Sequence, residues 1–205
     1  MTSVPGTAGL SSVDGSRIRT LCPASLFAGG PILWETSSLR YGGVERQILA
    51  NAHALKGKGI SLALLCRGLD TEAGESFFLK RAKELFYNIF LVTGEAAFER
   101  MPAAQQFAAR LGFLSEIERR VVGLYIANYL VATPRIVQSW NADNYFSALA
   151  AVLAGVPHVM LCARSQPTSL REPFGLEGIN PALAAERYRF LLQYPSFHFA
   201  ANSRS

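Results

Sequence analysis

Two adjacent glycines, Gly42 and Gly43, stand between an apolar run at residues 32–38 and a stretch in which Val44, Ile48, Ala52 and Leu55 recur at helical spacing. The order reads as strand, tight turn, helix. At such a turn the main chain can approach a ligand with no side chain in the way, and the unpaired amides of the helix start face an anion. The chemistry on offer is binding of a phosphate or a similar anion. Glu45 and Arg46 follow in the first helical turn, where a carboxylate suits the helix dipole and a guanidinium either meets the anion or stays in water. A tight turn without a ligand accounts for the same glycines equally well.

A second group is polar. Trp140 ends a strand-like run at 135–140, Asn141, Asp143 and Asn144 follow it, and Arg164 ends another at 156–164. An indole with amides, a carboxylate and a guanidinium suits a sugar or an anionic ligand. The competing accounts are local: Asp143 capping the helix that begins near it, and Trp140 as core.

The elements that must position these groups alternate. Strands are predicted at 32–38, 60–66, 88–93, 135–140, 156–164 and 197–201. Helices are predicted at 44–56, 76–86, 103–132, 142–154 and 182–193, with Gly57, Gly59 and Gly155 as stop signals. The stretch 103–132 reads as one helix because Phe107, Leu111, Leu114, Ile117, Val121 and Leu124 recur at steps of three and four. This alternation predicts an α/β fold, a doubly wound and mostly parallel Rossmann-like sheet flanked by helices. With strand order 3-2-1-4-5-6, the sheet reverses between the first and fourth strands. The glycine turn and the Trp140 group then meet at the carboxyl ends, where such sheets bind ligands.

Composition sets the outer limits. The chain has 205 residues, half of them hydrophobic and 17% charged, which suits one domain, residues 31–205, behind a flexible leader at 1–30 rich in Ser, Thr, Gly and Pro. Net charge is +5 and the pI about 9.3, with Lys and Arg scattered. That permits a phosphate-rich substrate or contact with an anionic membrane surface, and no nucleic-acid motif accompanies it. Cys22, Cys66 and Cys162 lie far apart, as do His53, His158 and His198, so no metal-ligand spacing or disulfide framework appears. No apolar run reaches the roughly 18 residues of a spanning helix. Arg17 and Arg19 before an apolar stretch imitate a secretion signal, but Pro23 interrupts it. Gly57-Lys58-Gly59 follows a helix and has Leu62 where a dinucleotide fingerprint needs glycine, which disfavours a nicotinamide oxidoreductase. P-loop and nucleophile-elbow patterns do not occur.

The run TSSLRYGGVERQILANAHALKGKGISLALLCRG resembles the opening strand, GG-x-ER turn, helix and second strand of family 4 glycosyltransferases, which have two Rossmann-like domains in the GT-B architecture. RIVQSWNADNYFSALAAVLAGVPHVMLCARS resembles that family's fourth-strand segment, and FHFAANSRS its hinge. The resemblance covers residues 31–205. It implies the acceptor-binding half of a retaining glycosyltransferase, moving a sugar from a nucleotide-sugar donor to a glycan or lipid-linked acceptor in polysaccharide biosynthesis. It implies no obligate metal or other cofactor, and a cytoplasmic location at the inner face of the membrane. Carried over by residue, Gly42 and Gly43 meet the donor diphosphate with Arg46 as a looser neighbour. Trp140, Asn141 and Asp143 match the acceptor loop, and Arg164 stands near it. Many relatives have a histidine in that loop and this chain has none there, so no catalytic residue is assigned. The family's donor-binding domain is expected to be missing after Ser205, leaving a chain inactive or weakly active alone unless another polypeptide completes it. The alternative is a non-catalytic Rossmann-like binding or regulatory module.

Overall fold

The computed structural model describes residues 18–40, 42–68, 77–92, 101–140, 145–163 and 181–201. The central strands carry near-continuous apolar runs, which only a sheet covered on both faces can bury. β1 is Ile32–Thr36, with four of its five residues buried, and β2 is Leu62–Cys66, buried throughout. β3 (Asn88–Leu91), β4 (Ile136–Ser139), β5 (His158–Ala163) and β6 (Phe197–Ala201) complete a six-stranded sheet in the order β3-β2-β1-β4-β5-β6. Every pairing is parallel. The predicted fold class is observed, and the strand order is the one on which the expected crevice depends.

Alternate side chains feed two cores. On one face, α1 (Gly43–Gly57) and α2 (Leu79–Leu85) pack on Trp34, Leu62 and Leu64. On the other, α3 (Pro102–Ala109), α4 (Glu116–Ala132), α5 (Tyr145–Ala154) and α6 (Pro181–Leu191) cover Leu33, Leu65, Val137 and Val159. α5 is buried at every position because its small residues let it lie close to the sheet and to α4.

Two sequence expectations need correction. The stretch 103–132 is two helices, α3 and α4, separated by a turn. Ser115 accepts a hydrogen bond from the Glu118 amide, and the Glu118 carboxylate accepts one from the Ser115 amide at 2.7 Å, a capping box that starts a new helix. Leu111 and Leu114 lie in the turn yet stay buried, and so the apolar spacing continues through a region that is not helical. The second correction concerns residues 18–30, expected in the leader. The Leu21 and Cys22 amides donate to the Leu153 and Ala154 carbonyls, and Phe27 is fully buried. This segment packs on the domain.

Candidate functional site

At the carboxyl edge of the sheet, the loop from β1 to α1 turns between the ends of β2 and β4. The Arg67 amide donates to the Thr36 carbonyl and the Trp140 amide to the Glu35 carbonyl, at 3.3 and 3.0 Å. Buried Leu39 anchors the loop, and its carbonyl accepts from the Phe78 amide. The strand order therefore brings the glycine turn and the end of β4 side by side, at the reversal where this class of sheet opens a crevice.

The two glycines differ. Gly42 is the N-cap of α1, with extended backbone that any residue adopts. A β-carbon there would stand 2.2 Å from Glu45 Oε2, because the Glu45 side chain folds back over the turn. Ser38 Oγ donates to Glu45 Oε1 at 3.3 Å, which holds it there. Around Gly43 a β-carbon would meet nothing within 4 Å, so the main chain is open on that side. Glu45 thus already supplies negative charge to the start of α1, and an incoming anion must displace or share that field. Arg46 is exposed on the first turn.

Of the two accounts open for Trp140, core or sugar platform, its packing matches the core. Its side chain is 6% exposed and its ring meets Trp34 edge-on at 5.0 Å. Trp34 in turn meets Phe86 edge-on at 6.0 Å. The indole is a packed wall that joins β1 to β4. Asn141, Asp143 and Arg164 lie outside the described residues.

Beneath the crevice is a polar layer that sequence reading missed. Glu35 is fully buried near the carboxyl end of β1, and its Oε1 accepts from the Tyr125 hydroxyl at 3.3 Å. Arg67 Nε is 3.9 Å from the same oxygen. Tyr129, stacked near Tyr125, shares a hydrogen bond of 2.7 Å with Ser147 Oγ, which in turn lies 3.1 Å from Ser139 Oγ. These bonds tie α4 to β1, β4 and the first turn of α5, all bordering the crevice. The signal available was a lone carboxylate inside an apolar strand, since a charge buried there needs partners.

Burial pushes the Tyr125 and Tyr129 phenols well above 10, and the Glu35 charge adds to the effect. Burial likewise pushes the Cys66 thiol up to about 11 from 9.0, with a backbone hydrogen bond of Gly68 working against it. All three groups keep their protons longer in the folded chain than in the unfolded one. Their contribution is complete below pH 9 and falls as pH rises, first through Cys66 and then through the tyrosines. Urea denaturation between pH 8 and pH 11.5 is expected to show stability declining from about pH 9. The Tyr129→Phe variant is expected to decline less steeply above about pH 10, and an unchanged slope would contradict the assignment.

Among the described residues, no three His, Cys, Asp or Glu side chains gather as a cation site, and no helix is long and apolar enough to cross a membrane. The fold and crevice define an α/β protein of the Rossmann-like doubly wound class. Comparison with protein-family models, curated proteins and solved structures gives no match.

Proposed function

We propose that this chain is the acceptor-side half of a retaining glycosyltransferase, one wall of a cleft in which a nucleotide-sugar donates to a glycan or lipid-linked acceptor. The observation that carries the reading is the Gly42–Gly43 turn at the β1/β4 reversal, with the main chain of Gly43 open to a ligand. Its amides suit a donor diphosphate, in keeping with the family 4 resemblance of the sequence around it. Transfer needs an opposing wall, because charge developing on the leaving diphosphate must be met by preorganised groups on more than one side. That wall comes from another domain or another chain. The enzyme works on the cytoplasmic side, at the inner membrane face when its acceptor is lipid-linked.

Calorimetric titration with pyrophosphate, UDP-glucose and GDP-mannose tests this. Weak binding is expected, without rapid sugar transfer by the 205-residue chain. Gly43→Val is expected to weaken pyrophosphate about tenfold by blocking the main chain, and Glu45→Gln to tighten it by removing a competing charge. Absence of binding to any of these ligands would overturn the diphosphate site. Rapid turnover by the isolated chain would overturn the half-site.

A further inference from the structure

A second recess lies away from the carboxyl edge. Residues 18–21 run beside the turn joining α3 and α4, and the two segments enclose an open cavity of about 550 Å3. Its position follows from the hydrogen bonds of Leu21 and Cys22 to Leu153 and Ala154, which close α5 just before β5 begins. The cavity is therefore on the amino-terminal side of the sheet, remote from Gly42.

Its lining is divided by chemistry. Leu21, Phe107, Leu111 and Phe113 supply apolar walls. Leu111 is buried, and Phe113 is braced by Phe190 with ring centroids 5.2 Å apart, so this surface is backed by the main core. Arg19 and Arg110 line the same cavity and are exposed. Neither guanidinium has a carboxylate partner among the described residues. Two cations with no carboxylate partner among the described residues, beside one apolar recess, raise the local potential for anions, and the volume is that of a small-molecule site.

We propose that this cavity binds a single-chain anionic amphiphile, a phosphate or carboxylate head held by Arg19 and Arg110 with an apolar body of roughly ten carbons against Phe107 and Phe113. The head and the body are both required. Inorganic phosphate lacks the burial, and a neutral alkyl chain leaves the guanidinium pair without a counter-charge.

Calorimetry of the 205-residue chain with decyl phosphate, kept below its micelle-forming concentration, tests this. One molecule is expected to bind, with 1-decanol and inorganic phosphate at least about tenfold weaker. The double variant Arg19→Ala, Arg110→Ala is expected to lose at least about tenfold in decyl phosphate affinity while keeping its thermal midpoint, since both side chains are exposed. Phe107→Ala is expected to weaken decyl phosphate and leave inorganic phosphate unchanged. Equal binding by the double variant, or equal binding of either half-ligand, overturns the proposal. Binding to phosphatidylglycerol vesicles without uptake of monomeric decyl phosphate also overturns it, because the arginines would then serve a bilayer surface instead of a cavity.

Discussion

Gly155→Ala is expected to destabilise the chain by about 3 kcal/mol or more, lowering the urea midpoint by about 1 M or more. Gly155 has φ +100° and closes α5. Its amide donates to the Val152 carbonyl and the Val156 amide to that of Ala151, the paired arrangement that ends a helix on a left-handed residue. Alanine there carries the left-handed penalty, about 1–2 kcal/mol. A second cost is steric, since a β-carbon would stand 2.2 Å from the Cys22 carbonyl oxygen. That carbonyl cannot retreat freely, because the amide of the same residue is bonded to Ala154. Gly57→Ala is the control: no atom lies within 4 Å of the new carbon, and its midpoint is expected to stay near that of the parent chain. A loss of only about 1–2 kcal/mol, the left-handed penalty alone, would mean that residues 18–22 are not docked as described.

Glu35→Ala is expected to cost about 3–5 kcal/mol, because it removes the buried carboxylate that faces the Arg67 charge and the acceptor of the Tyr125 hydroxyl. The Arg67 and Glu35 side chains are 10% and 0% exposed, so solvent does little to relieve the loss. Removing both charges together, as Glu35→Leu with Arg67→Met, is expected to recover much of the stability. Tyr125→Phe is expected to cost only about 1 kcal/mol, the value of one hydrogen bond. If the double variant is as unstable as Glu35→Ala, the carboxylate acts through something other than this pair.

Much of the fold was legible because the chain alternates short apolar runs with helical stretches, and the parallel α/β solution follows from that alternation. The glycine turn was legible for the same reason, lying between a strand and a helix. What escaped depends on partners distant in sequence. The orientation of Trp140 is decided by Trp34 and that of Glu35 by Tyr125, neither of which a local pattern reveals. The division between α3 and α4 was hidden because Leu111 and Leu114 face the core from a turn. Residues 18–30 resembled a leader by composition, although buried Phe27 and the main-chain bonds of Leu21 and Cys22 dock them on the domain. Around the crevice, the open turn was anticipated, whereas the role of Glu45 as its occupant became visible only with Ser38 in contact.

The ladder between β1 and β4, with Ile32 opposite Ile136, joins segments separated by roughly a hundred residues of chain. β1, β2 and β3 are contiguous in sequence, as are β4, β5 and β6, so each half of the sheet assembles over shorter loops than the seam between them. Loop closure is the slow part of such topologies, so the seam is expected to form late, which pulse-labelled hydrogen exchange of the β1 and β4 amides would check. The crevice lies on that seam. On that order of events its walls meet only when the two half-sheets join, and a delay in that step is expected to leave a chain with most of its secondary structure and no crevice.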